Sequence, residues 1–133
     1  METHPSGENP LVNKDGLSRL ELGRAGEDAA VRHLEQSGYQ ILTRGFRMFR
    51  GEIDIIARDG ETLVFVEVKT RTSEDFGRPE DAVTRSKQAQ IRKIAQGYLI
   101  RVNPGDVPCR FDVLAVERSP DGDWIFRHYQ NAF

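Results

Sequence analysis

Apolar and polar positions along the chain recur in two periods, one helical and one of alternating residues, and they divide it into seven elements. A polar stretch with Pro5, Gly7, Pro10 and Gly16 reads as a flexible tail over residues 1–16. A helix is predicted from Leu17 or Ser18 to Gln36, with Gly38 ending it. A strand follows over Tyr39–Phe49. Two more, near 52–58 and 62–70, are joined as a hairpin by a turn at Arg58-Asp59-Gly60. Thr72–Arg78 reads as a loop, with Gly77 and Pro79 as breakers. A second helix is predicted over Pro79–Arg101, with a kink near Val83–Thr84, and Asn103-Pro104-Gly105 stops it. Final strands near 110–117 and 123–129 flank the turn Ser119-Pro120-Asp121-Gly122. The order α-β-β-β-α-β-β predicts an α/β fold, a mixed sheet of about five strands flanked by helices, in a single domain over 17–133.

Within this pattern a few charges sit where apolar residues belong. Side chains alternate across a strand, so Leu63, Phe65, Glu67 and Lys69 share one face while Val64, Val66, Val68 and Thr70 share the other. On the preceding strand Asp54 shares a face with Glu52 and Ile56. A hairpin register that sets Asp54 beside Glu67 brings two carboxylates together next to a lysine. Such a pair repels unless a cation or a proton lies between, and its oxygens suit a hard ion such as Mg²⁺ or Mn²⁺. Lys69 is then placed to orient or deprotonate a water, or to stabilise charge on a phosphate. The alternative is an ordinary cross-strand ion pair.

The first helix repeats the anomaly. Leu20, Glu27, Val31 and Leu34 fall on one stripe, with Ala30 at its edge, which puts an acid on the apolar face. A second stripe, Leu22, Gly26, Ala29 and His33, packs equally well and leaves Glu27 at the margin. In the second helix Ile91, Ile94, Ala95, Tyr98, Leu99 and Val102 form the core stripe, and its backward extension brings Lys87 and Gln88 to the same face. Arg44, Arg47 and Arg50 alternate with Phe46 and Phe49, a pattern that suits either phosphate contacts with base stacking or an edge strand whose aromatics enter the core. Phe111, Val113, Ala115, Trp124 and Phe126 read as core. Cys109 reads as a small buried residue, and His4, His33 and His128 show no ligand spacing.

Composition narrows the classes. At 38% hydrophobic and 30% charged, the chain is neither broadly disordered nor membranous. A single cysteine excludes an intramolecular disulfide and a cysteine-rich zinc site. The N-terminus has no signal-peptide pattern, so a cytoplasmic location is expected. Net charge is −2, but residues 40–101 hold twelve Lys/Arg against nine Asp/Glu, so the segment with the candidate site is the basic one.

The motifs Gly23-Arg24-Ala25-Gly26-Glu27-Asp28-Ala29-Ala30, Gly51-Glu52-Ile53-Asp54-Ile55-Ile56-Ala57, Phe65-Val66-Glu67-Val68-Lys69-Thr70-Arg71, Arg110-Phe111-Asp112-Val113 and Asn131-Ala132-Phe133 resemble the bacterial YraN-like family across about residues 18–133. The resemblance implies a restriction-endonuclease-like fold with the PD-(D/E)xK signature, related to Holliday-junction resolvases. It implies Asp54, Glu67 and Lys69 as the signature residues, Glu27 as the helical acid, and the backbone oxygen of Val68 as a further metal ligand. Ile53 stands where the signature has proline, and Gly45 where the family usually has asparagine. The implied activity is Mg²⁺- or Mn²⁺-dependent cleavage of structured or branched DNA, with a homodimer as the expected assembly. Arg44, Arg47, Arg50, Arg71, Lys87 and Gln88 are the expected nucleic-acid contacts. A nucleic-acid-binding module without catalysis and a structural or partner-binding protein are the competing readings.

Overall fold

The computed structural model describes residues 16–72 and 83–133. The polar tail, most of the Thr72–Arg78 loop and the expected start of the second helix at Pro79 lie outside the described residues. The elements follow the expected order: α1 Arg19–Gln36, β1 Gln40–Met48, β2 Gly51–Asp59, β3 Thr62–Thr72, α2 Arg85–Val102, β4 Cys109–Arg118 and β5 Trp124–Tyr129. The strands form one mixed sheet in the order β1-β2-β3-β4-β5, with only the β3–β4 pair parallel. α2 makes the crossover that a parallel pair requires.

Local chemistry sets the boundaries. Ser18 and Glu21 form a capping box at the start of α1, each side chain accepting from the other's backbone N–H at 3.1 and 2.9 Å. Thr84 caps α2, accepting from Lys87 N–H at 3.2 Å, so that helix begins at Arg85 and Val83–Thr84 is its entry rather than a kink. Asp59 pairs with Thr62, so the hairpin turn is Gly60-Glu61, one step later than expected. Gly60 opens it at φ +62, where glycine costs least. The β1–β2 connection is equally short: Met48 pairs with Gly51, leaving Phe49 and Arg50 at φ +54 and +60. That conformation costs a non-glycine residue roughly 1–2 kcal/mol.

The helices cover opposite faces of the sheet. Ala29, Ala30 and Leu34 of α1 pack on Ile55, Ala57, Val64, Val66, Leu114 and Val116. Ile91, Ile94, Ala95 and Tyr98 of α2 pack on Ile53, Ile56, Leu63 and Phe65. β3 is therefore buried on both sides and reads as a near-continuous apolar run, as an interior strand should. Of the two stripes open to α1, Leu22, Gly26 and Ala29 face inward while Leu20 is 64% exposed. The reason is steric. Gly26 lies against Thr70 of β3, and an added Cβ would overlap the threonine side chain, coming 3.0 Å from its Cβ. Cys109 is exposed, not buried, because it stands at the start of β4 before that strand enters the core. Val102, at the last turn of α2, is likewise 49% exposed.

One buried charge is wholly structural. Asp112 has no exposed surface, and both of its oxygens are engaged. Arg110 reaches it in bidentate fashion at 2.9 and 3.0 Å, His128 Nε2 lies at 2.7 Å, and the Asn131 N–H donates at 2.9 Å. Arg110 also donates to Tyr39 and Asp59 at 2.7 and 3.2 Å. Burial alone would raise the Asp112 pKa, but the hydrogen bonds from His128, Arg110 and Asn131 outweigh it and hold the carboxyl below its usual range.

Two stability measurements test this packing. Gly26→Ala gains helix propensity but overpacks the α1–β3 contact, so we expect a net loss of about 1–2 kcal/mol in denaturant unfolding, with Thr70→Ala restoring most of it in the double variant. Asp112→Ala strands Arg110 in a partly buried site and should cost about 3–5 kcal/mol. Because the Asp112 pKa is lowered on folding, its contribution is present above the ordinary carboxylate pKa and is lost as pH falls below it.

Candidate metal centre

β2 and β3 pair from Asp59↔Thr62 to Ile55↔Val66 and then diverge, while β3 runs on beside β4 to Thr72. The next pair in register would be Asp54 and Glu67. The strand instead changes face at Asp54. Ile55 packs on the α1 side and Ile53 on the α2 side, although strict alternation would put residues two apart on one face. Gly45, opposite this switch on β1, adopts φ +61, a conformation open to glycine and next most readily to asparagine. The Asp54 carboxylate fills the gap left by the ladder: its Oδ2 accepts the Val68 N–H at 2.8 Å.

Carboxylates gather around this fork. Glu27 of α1 and Glu52 and Asp54 of β2 bring one oxygen each within 4.8 Å of one another, and such a cluster can hold a metal ion. Glu67 lies beside Asp54, close enough for a proton on Asp54 to be shared with it. It is 5% exposed, and its Oε1 is buried without a hydrogen-bond partner. Its Oε2 lies 3.8 Å from Lys69 Nζ and 3.7 Å from Lys87 Nζ, in ion pairs longer than hydrogen bonds. Lys87 thus reaches the sheet from the first turn of α2, as its spacing implied, whereas Gln88 turns back to cap the Val83 carbonyl at 3.1 Å.

The electrostatics reflect this crowding. Burial, and then the neighbouring charge of Glu67, push the Asp54 pKa up to about 7, against the opposing Val68 hydrogen bond. Burial and the Asp54 charge also raise that of Glu27, although Arg44 opposes them. A divalent cation would relieve the same repulsion that a proton relieves. The donors are all hard oxygens, and one of them is buried and unsatisfied, so the residues present fit Mg²⁺ or Mn²⁺.

The expected site residues separate into two groups. Glu27, Asp54, Glu67, Lys69 and Lys87 converge at the fork, with Val68 joining through its amide. Arg44 is held by Glu27 and Asp28 at 3.2 and 2.7 Å, and Arg47 pairs with Glu52 at 3.2 Å. Arg50 sits at the β1–β2 turn, lining one cavity with Arg47 and Glu52, and Arg71 stands near the end of β3. Glu52 is the residue that sequence reasoning missed as a ligand. Its position two before Asp54 was the available signal.

A model of Uncharacterised protein family UPF0102 matches residues 26–116, a span that holds every one of these acids. The chain belongs to this family. It is 52% identical to a UPF0102 protein of Geobacter sulfurreducens over 97% of this chain and 96% of the relative. It is 51% identical to one from Symbiobacterium thermophilum, over 84% and 95%, and 54% identical to one from Chlorobaculum tepidum, over 71% and 74%. The YraN-like resemblance is thus confirmed at the level of family. No helix among the described residues is long and apolar enough to cross a membrane.

The raised Asp54 pKa fixes the sign of a pH effect. The folded protein holds this proton more tightly than the unfolded chain, so the contribution is full at low pH and is lost as pH rises towards about 7. In chelator-treated protein the melting temperature should fall as pH rises from about 5 to about 8, and Asp54→Asn should flatten that fall. Adding Mn²⁺ should raise the wild-type melting temperature at the upper pH far more than at the lower, because binding requires the ionised acids. Calorimetric melting across pH, with and without metal, checks both.

Proposed function

We propose that this UPF0102 protein is a metal-dependent endonuclease of the PD-(D/E)xK type acting on structured or branched DNA. The observation that carries this reading is the buried, unpartnered Glu67 Oε1 beside Asp54. A purely structural charge in this sheet is saturated with partners, as Asp112 is. Glu67 is buried as deeply as a core residue yet keeps one oxygen unused, an expense that a bound cation offsets.

Asp54 and Glu67 would hold the ion, with Glu27, Glu52 and the Val68 carbonyl as further oxygen donors. A divalent ion there supplies Lewis-acid stabilisation for negative charge developing on a phosphodiester. Lys69 would bring its ammonium beside Glu67, where it can orient an attacking water and stabilise negative charge developing on the phosphate. Lys87 adds a second positive charge at the same carboxylate, which suits an anionic substrate. A homodimer would match a junction that offers two equivalent strands.

A binding module without catalysis is the second reading; Arg44 and Arg47, which pair with Glu27, Asp28 and Glu52, would there exchange those acids for phosphates. One experiment separates the readings. Mg²⁺ and Mn²⁺ are titrated calorimetrically into wild type and Asp54→Ala, and both proteins are assayed on labelled single-stranded, duplex, flap and junction DNA. We expect binding and cleavage in wild type, with the variant's cleavage reduced at least a hundredfold, a loss typical of removing one group that stabilises developing charge. DNA binding with no cleavage in either metal leaves the module. Absence of metal binding and of DNA binding, with Glu67→Ala destabilising the fold, returns the acids to a structural pairing role.

A further inference from the structure

The loop joining β1 to β2 contains only Phe49 and Arg50, and both have positive φ. A two-residue hairpin loop of this kind is served at least cost by Asn-Gly. An aromatic residue in the left-handed region is an outlier, and two consecutive non-glycine residues compound the strain. Packing does not bury the aromatic in return, because Phe49 remains 52% exposed. Its ring is nonetheless held in place. Lys93 Nζ lies 4.9 Å over the centroid, and the ring edge rests at Gly97 of α2, where a Cβ would approach it to 3.0 Å. The same glycine admits Met48 against the helix, which fixes the approach of the loop.

An exposed ring held rigidly beside a cation loses little entropy when it binds a flat partner. Arg50, the other residue of the loop, is exposed next to it in the chain. The tip adjoins Gly51, three residues along β2 from Asp54, roughly 10 Å at strand rise, or about three base steps of a nucleic-acid strand. We propose that Phe49 is a stacking platform for an unpaired base, with Arg50 and Lys93 receiving the adjoining phosphates. This rests on the nucleic-acid reading of the carboxylate site. Stacking on an aromatic face is indifferent to base identity and needs an unpaired base, so the platform selects single-stranded or locally opened nucleic acid over a closed duplex. DNA and RNA offer the same base chemistry, and the experiment separates them.

The test uses the full chain in chelator-containing buffer, so that cleavage plays no part. DNA and RNA oligonucleotides carry 2-aminopurine in an unpaired stretch, and a fully paired duplex is the control. Wild type should bind the unpaired strands and change the probe's fluorescence, with one sugar type preferred or both accepted. Phe49→Leu, which keeps an apolar side chain, should bind roughly tenfold more weakly and lose that change. Phe49→Asn with Arg50→Gly should melt higher, by about 3 °C, since it relieves the turn, and should also lose the fluorescence change. Unchanged affinity and fluorescence in Phe49→Leu overturn the platform while the nucleic-acid reading stands. An Asn-Gly turn that melts no higher removes the strain and overturns it as well. Wild type that binds none of the strands overturns the nucleic-acid reading, and the platform with it.

Discussion

The structure depends on keeping an ionisable side chain inside a strand that is covered on both faces. β3 lies between the α1 and α2 cores, and Glu67 occupies one of its inward positions. Desolvation makes that position expensive. What surrounds it is arranged accordingly: β2 leaves the ladder just before Glu67, Asp54 takes over the Val68 N–H that β2 no longer reaches, and lysines from β3 and α2 approach one oxygen only. Gly45 permits the change of face through its φ, and Gly26 permits the close approach of α1 to β3 through its missing side chain.

Asp112 on the neighbouring strand provides an internal control. It is buried more completely than Glu67, yet every oxygen is matched by a donor, and those donors come from β4, β5 and the C-terminal Asn131. The network ties Asn131 to the sheet and draws in Tyr39, just before β1, through Arg110. The two acids therefore show the two fates of a buried carboxylate. One is saturated and serves stability. The other is left incomplete beside further carboxylates, and only a proton or a cation completes it. The chemistry of this incomplete site, which lies within the span that the family model matches, is what points to function.

Much of the architecture was legible because periodicity reports burial directly. The element order, the split of β3 into two faces and the α2 core stripe from Ile91 to Leu99 all appear as expected, since each depends on side chains within one element. The phase of α1 was not legible. Two stripes had similar apolarity, and the deciding factor, the fit of Gly26 against Thr70, lies between elements. Glu52 and the partners of Asp112 escaped for the same reason: His128 and Arg110 look unremarkable in sequence and meet Asp112 only across strands. The arginines that suggested phosphate contacts proved partly engaged by acids from α1 and β2, a pairing that no spacing rule reveals.

The sequence by itself determined the helices and strands, the family motifs and the acids at which chemistry was expected, because residue type and local period suffice for these. Tertiary structure alone decided that the ladder opens at Asp54, that Glu27 and Glu52 join it, and that Glu67 keeps an unpartnered oxygen. Those outcomes depend on distances between elements remote in the chain. Burial and charge proximity, the two quantities that set the pKa of a carboxylate and its affinity for a cation, exist only once the chain has closed around them.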